Sequence, residues 1–340
     1  MVRFFGRLSS RLVILIPSSM LLGLIAGLIW DLSALRGAIL PLTMLMVYPM
    51  LVNFRPGEAL SLKHGRAVGL AMGMNFIVMP LAAWLLATLF FGGEPGLFVG
   101  MVLIGLFPTS GMTISWTGFA RGNVPAAVKM TVIGLLLAAV LAPFYLLALA
   151  GARVQVDLLG IAATVGLVVL VPMAAGSLTR TALVRKYGQK TYAARIKPVF
   201  PGISTLGVVA IVFLAIGLKA PMIASSPGLV LTIAVPLVLF YAVSFALTTV
   251  VGRLTLERGE AIAVVYGTVM RNLSIALGIA IASFGPMAAL VLAAAFIVQV
   301  QSAAWYVRLA DFLFGPAETV NSQGTEPSVK IPAGEAAPAG

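Results

Sequence analysis

The sequence predicts an all-α polytopic membrane protein: ten transmembrane helices in two inverted five-helix repeats, with broken fourth and ninth helices that cross. Three observations carry that prediction. Of 340 residues, 61% are hydrophobic and only 9% charged, against about 25% charged in an ordinary soluble domain. Such a chain cannot cover itself with a solvated surface. The apolar residues fall into ten runs at 12–30, 37–54, 67–91, 96–120, 124–150, 157–179, 200–218, 227–251, 261–284 and 286–307, each near the roughly 20 residues that cross a bilayer. The basic residues then sort by side. With the N-terminus inside, 17 of the 22 Lys and Arg fall on inside segments and three (Arg36, Arg153 and Lys219) outside, while Lys129 and Arg271 lie within spans. That asymmetry places both termini in the cytoplasm and the protein in the plasma (inner) membrane. It also accounts for the net charge of +12 without any nucleic-acid partner.

The elements follow in order. The first run comes after Arg3, Arg7 and Arg11 and has no small-residue cleavage pattern, so it reads as a retained helix rather than a removable leader. Tyr48-Pro49 in the second span and Pro80 in the third mark kinks, and Asn75 puts an amide into the third. Six basic residues crowd the longest inside connection, from Arg180 to Lys197, which Pro198 and Pro201 close. Gln299 and Gln301 sit on the tenth span, as groups for interhelical hydrogen bonding. Residues 1–314 are expected to form a single transmembrane domain, with repeats over about 11–150 and 157–312. Five spans per half is an odd number, so the halves run in opposite directions, and sites in such folds form near the midplane on interrupted helices. The Pro-, Ala- and Gly-rich stretch 315–340 is expected to be a disordered cytoplasmic tail.

The fourth span and the ninth, fourth of its own half, are the interrupted ones. The fourth reads Leu106-Phe107-Pro108-Thr109-Ser110-Gly111-Met112-Thr113-Ile114-Ser115-Trp116-Thr117-Gly118. A proline without a backbone donor and a glycine break the helix there, and hydroxyls stand by to satisfy the freed groups. The ninth reads Tyr266-Gly267-Thr268-Val269-Met270-Arg271-Asn272-Leu273-Ser274. Thr109, Ser110, Thr113, Ser115, Thr268, Arg271 and Asn272 are therefore the candidate substrate-binding residues. Arg271 lies about ten residues from either end of its span, too deep to snorkel. It is either an anion-binding countercharge or a clamp on carbonyls freed by the break. Lys129, six residues after Asn123, is a candidate proton-coupling group together with Arg271, or a lysine that snorkels to the cytoplasmic interface.

Enzyme chemistry has no materials here. The chain contains no cysteine and one histidine, His64 in a polar loop, and its ten acidic residues lie in loops, span ends or the tail. A nucleophile with a base, a carboxylate pair, a metal cluster or a cofactor site is therefore not expected within the spans. No Walker-type phosphate loop is present. A secondary transporter is the expectation, with a small-molecule substrate and the lipid bilayer as partners. A membrane receptor is the distant alternative.

Met46-Val47-Tyr48-Pro49-Met50-Leu51 resembles the second-helix motif of the arsenical-resistance permeases. Pro108-Thr109-Ser110-Gly111-Met112, with Trp116-Thr117 and Ala120-Arg121-Gly122-Asn123, is similar to their fourth-helix motif. The stretch to Val124 also resembles the bile acid:sodium symporters of the same superfamily, and Met270-Arg271-Asn272 with Ile275-Ala276-Leu277 resembles its ninth-helix crossing motif. The resemblance covers roughly 10–310 and implies a panel domain and a core domain that alternate access. It implies a cargo of the metalloid-oxyacid (arsenite) type or a small anion, moved with or without protons. An organic-anion symporter or facilitator with no arsenic role is the alternative. Two departures matter. Where the permeases carry a cysteine after the motif proline this chain has Thr109, so no thiolate can bond arsenic. Where the sodium symporters place Glu and Gln on the ninth helix it has Gly267 and Arg271, and at their other ligand positions Thr113, Ile114, Ala127 and Thr131. Sodium coupling is not expected.

Overall fold

The computed structural model describes residues 12–52, 63–154, 157–225 and 228–316. The basic residues before Leu12, the connection over 53–62 and the expected tail beyond 316 lie outside the described residues. Among the described residues every regular element is a helix. In chain order these are α1 (Leu12–Ile29), α2 (Ile39–Val52), α3 (Gly65–Phe90), α4 (Pro95–Leu106), α5 (Gly111–Phe119), α6 (Val124–Ala150) and α7 (Leu159–Tyr187). They continue with α8 (Gln189–Gly217), α9 (Ala220–Ser225), α10 (Gly228–Thr255), α11 (Arg258–Val269), α12 (Leu273–Ile279, running on to Phe284) and α13 (Pro286–Phe314).

Seven stretches among the described residues are long and apolar enough to cross a bilayer: α3, α6, α7, α8, α10, α11 with α12, and α13. The α4–α5 pair, bent by 60° at its junction, makes an eighth, and α1 and α2 are shorter apolar helices. Large apolar side chains such as Leu159, Leu254 and Phe312 stand exposed around the outside, as lipid solvation requires and water would penalise. The multi-pass membrane class expected from composition therefore holds.

Prolines account for most of the helix irregularity. Three π-turns, Met74–Val78, Gly166–Leu170 and Tyr192–Ile196, each end two residues before a proline inside a continuing helix: Pro80, Pro172 and Pro198. A fourth, Ala280–Phe284, instead closes α12 before the φ 86° turn at Gly285. A proline ring collides with the carbonyl four residues back, and one widened turn relieves the collision. The carbonyl so released before Pro80 belongs to Phe76, and the Tyr145 hydroxyl donates to it. The basic connection over residues 180–197 is itself helical: α7 runs to Tyr187 and α8 begins at Gln189, with Gly188 at φ 78° as the turn between them.

Packing sorts the helices into two groups. One is α1, α2, α7 and α8, held at close range by small residues. A β-carbon on Gly27 of α1 would lie 2.1 Å from the Gly217 carbonyl oxygen of α8, so only glycine permits this approach. The other group, α3–α6 with α10–α13, packs around the junctions of α4 with α5 and of α11 with α12.

Candidate functional site at the crossing of two broken helices

The first break follows from its sequence. α4 ends at Leu106, Phe107 turns extended, and Thr109 takes a left-handed backbone at φ 54°. Such a φ is rare for a β-branched residue. The Thr109 hydroxyl donates to the Pro108 carbonyl at 2.8 Å, and the chain re-enters helix at Ser110, whose N–H donates to Thr113 Oγ1 at 3.1 Å. Across the crossing, Met270, Arg271 and Asn272 leave helical geometry between α11 and α12. The two breaks touch directly: the Asn272 N–H donates to the Phe107 carbonyl at 2.8 Å. Asn272 also caps α12, its Oδ1 accepting from Ile275 N at 3.3 Å.

Arg271 is fully buried and fills the junction. Its Nε donates to the Ile104 carbonyl at 2.9 Å and its Nη2 to the Gly105 carbonyl, both at the end of α4. Its Nη1 donates to the Thr268 carbonyl at 3.1 Å, near the end of α11, and to Asn75 Oδ1 on α3. The carbonyl-rich, negative ends of two half-helices thus converge on one guanidinium. Asn75 completes the clamp by donating to the Gly267 carbonyl at 2.9 Å. From α13, Gln299 accepts from Arg271 N at 2.8 Å and donates to Arg271 O at 3.2 Å, beside the local bonds of that N–H to the Val269 carbonyl at 2.9 Å and of that carbonyl with Leu273 N at 3.0 Å. The Tyr241 hydroxyl of α10 donates to the same Gln299 oxygen at 2.9 Å. Among the described residues no carboxylate pairs with Arg271; its partners are carbonyl and amide oxygens.

Three buried polar groups at the junction have no hydrogen-bond partner: Ser110 Oγ, Thr268 Oγ1 and Asn272 Nδ2. An orphaned buried group costs roughly 1–3 kcal/mol, a cost a bound solute would offset. At the position that matches the symporters' carboxylate, Met130 of α6 packs against the glycine. A β-carbon on Gly267 would lie 2.7 Å from Met130 Sδ, so a thioether fills the space.

Of the expected residues, the structure brings Thr109, Ser110, Thr268, Arg271 and Asn272 to the junction, with Thr113 one turn into α5. Ser115 is not among them; it lies on an exposed face of α5. Lys129 is also elsewhere: it is buried and donates to the Lys63 carbonyl at 3.0 Å, at the loop that enters α3. That end is tied by polar contacts. His64 Nδ1 meets Glu260 Oε1 at 2.6 Å, Asn123 N donates to the Gly259 carbonyl at 2.7 Å, and Arg258 Nη1 donates to the Arg121 carbonyl at 3.0 Å. Lys129 thus lies apart from the junction, with its ammonium held at the loop that enters α3. Asn75 and Gln299, read as ordinary interhelical groups, are direct partners of Arg271. Tyr241 and Met130 carried no signal in sequence, since tyrosine and methionine are common in apolar spans.

A match to the family model of the sodium bile acid symporters extends over residues 40–226, more than half of the 340. The chain belongs to the sodium bile acid symporter family. Among its relatives this family member is 24% identical over 284 residues to the arsenical-resistance protein Acr3 of Corynebacterium glutamicum, spanning 78% of this chain and 76% of that one. It is 25% identical over 225 residues (66% and 72% of the two chains) to YbaS of Bacillus subtilis, a protein described as uncharacterized. A shorter stretch of 153 residues, 45% of this chain and 36% of the relative, is 31% identical to the probable sodium/metabolite cotransporter BASS1 of Arabidopsis thaliana. The superfamily expected from the motifs is thereby established, and with it a multi-pass membrane transporter of small molecules.

Proposed function

We propose that this family member is a sodium-independent secondary transporter in which Arg271 is a resident cation in the place of the coupling ion. The observation that carries the reading is the ligand shell of Arg271: carbonyl oxygens of Ile104, Gly105 and Thr268 and the Asn75 amide oxygen, drawn from α4, α11 and α3. An oxygen shell of this kind suits a hard cation, and a fixed guanidinium in it repels sodium. The Met130 sulfur against Gly267 supports the same reading, because it takes the room of a carboxylate.

The cargo in this reading is a small anion, held where α5 and α12 begin, by Ser110, Thr268 and Asn272. Helix beginnings favour negative charge, and Arg271 supplies a field without spending its own donors on the solute. A metalloid oxyacid of the arsenite type is the second reading, favoured by the likeness to Acr3 over most of both chains; hydroxyl and amide groups, not a thiolate, would hold it. Ten spans in an inverted repeat, cytoplasmic termini in an inner membrane and alternating access complete the proposal. The pairing of the two breaks supports it. We assign Lys129 to anchoring the cytoplasmic end rather than to proton transfer, because its ammonium is held by the Lys63 carbonyl.

Two measurements test this. Thermal unfolding of the purified protein, titrated with sodium chloride against choline chloride at constant ionic strength, is expected to give one midpoint throughout. A sodium-specific rise would sink the resident-cation reading. Arsenite tolerance in bacteria without their own efflux, expressing the parent or Arg271→Ala at matched levels, separates the cargoes. Tolerance with the parent alone favours the oxyacid, and none with either favours the anion.

A further inference from the structure

The two half-helices that leave the crossing are treated differently by the α1/α2/α7/α8 group. They run to opposite ends of the molecule. The end of α5 meets the start of α11 through Asn123 and Gly259, whereas the start of α4, at Gly96, packs on Met287 just beyond α12. α12 is seated on that group. A β-carbon on Gly278 would lie 2.5 Å from Thr43 Cγ2 of α2, 3.5 Å from Val168 Cγ1 of α7 and 3.7 Å from Met46 Cε. At 2.5 Å something must move, and Thr43 is wholly buried, with no partner for its hydroxyl. Farther along, Ser283 Oγ donates to Thr164 Oγ1 of α7 at 3.3 Å.

α5 has its main packing on α6, α11 and α13. Its small-residue face, Gly111, Ser115 and Gly118, is exposed, and a β-carbon on Gly111 would meet nothing within 4 Å. One half-helix is therefore closed against α2 and α7 while the other stands open. The open end carries Lys63, His64, Arg121, Lys129 and Arg258 and is the cytoplasmic one by the distribution of basic residues.

We propose that the contact of Gly278 with Thr43 is the outer gate of this transporter, shut in the present cytoplasm-open structure, and that it must part when the Gly111–Ser115–Gly118 face of α5 closes. The gate works because glycine at 278 lets α12 approach α2 to a distance that no side chain permits. Any added carbon there biases the protein toward the opposite, outward-open state. The inference rests on the chain being a transporter, not on its cargo or on sodium independence.

The chain has no cysteine, so Ser115→Cys and, separately, Thr43→Cys each introduce a single thiol. A membrane-impermeant maleimide is applied to inside-out and to right-side-out vesicles. With glycine at 278, Ser115→Cys is expected to label from the cytoplasmic side and Thr43→Cys to resist labelling from outside. Gly278→Val is expected to slow Ser115→Cys labelling about tenfold or more, as a shift of a two-state population does, and to open Thr43→Cys to the outer reagent. Labelling of Ser115→Cys that is absent from the cytoplasmic side, or indifferent to Gly278→Val in monodisperse protein, overturns the proposal. Should Gly278→Val fail to accumulate, Gly278→Ala is read with and without Thr43→Ala. Protection of Ser115→Cys by the first and its release by the second support the gate; no release overturns it. The readout needs no cargo, so a failed transport assay leaves it intact.

Discussion

The two breaks at the centre of this molecule are chemically opposite. The break between α4 and α5 presents acceptors: the carbonyls of Ile104, Gly105 and Phe107 all take hydrogen bonds from the other break. The break between α11 and α12 supplies the donors, through Arg271 and the Asn272 N–H. Neither stands alone. A proline-broken helix leaves carbonyls exposed that lipid cannot satisfy, and an arginine at this depth is tolerated only where oxygens await it. Two sequence features that are each unfavourable become a single favourable one when they meet.

The largest effect should come from removing the donor. Arg271→Ala leaves three carbonyls unpaired, and at about 1–3 kcal/mol for each buried orphan it should lower stability by at least about 3 kcal/mol and abolish transport. Thermal unfolding in detergent and vesicle uptake measure both. Arg271→Lys sharpens the point, since it keeps the charge but loses the planar fork; recovery of full stability by lysine would mean that charge alone matters. Next comes Gln299→Leu, which removes the side-chain partner of the Arg271 N–H and of its carbonyl, leaves them the local contacts to Val269 O and Leu273 N, orphans the Tyr241 hydroxyl and should cost about 2 kcal/mol. Tyr241→Phe, one bond further out, should cost about 1 kcal/mol; a larger loss than for Gln299→Leu would reverse the order of support argued here.

Ser110→Ala and Thr268→Ala separate holding the fold from holding the solute. Neither hydroxyl has a partner, so neither variant should lose stability, and removing an orphaned group should raise it by up to about 1–3 kcal/mol, while transport weakens, seen as a raised KM. A clear fall in stability with unchanged transport would remove these groups from the site. The smallest effect is expected from Lys129→Gln, which should leave the pH profile of transport in place. A displaced profile would restore Lys129 as a proton carrier.

The class of fold was legible because bilayer physics constrains composition and the length of apolar runs. The breaks were legible because Pro108, Gly111 and an arginine amid apolar residues violate those same rules. What Arg271 does was not: a buried guanidinium clamping carbonyls and one awaiting an anion look identical in sequence, and only the positions of Ile104, Gly105 and Asn75 distinguish them. Ser115 lies apart from the junction because a hydroxyl five residues from Ser110 falls on another face of a helix that resumes at Gly111. A kink at Pro80 was legible from proline sterics, but the hydroxyl of Tyr145 finding the Phe76 carbonyl depended on tertiary placement.

The Arg271 clamp also constrains how the protein is made. Gly105 and Arg271 are separated by 166 positions, so the fourth helix enters the bilayer long before its partner is synthesised. Until then its carbonyls must be served by water or by the insertion machinery. The α11–α12 segment carries a charge that costs roughly 2.5–3.5 kcal/mol on insertion scales, and the waiting α4 carbonyls and Asn75 offset it together with its own Thr268 carbonyl. Biogenesis should therefore be ordered and late-closing. A ribosome stalled before residue 271 holds an unfinished socket, and only release of the α11–α12 segment lets the clamp close.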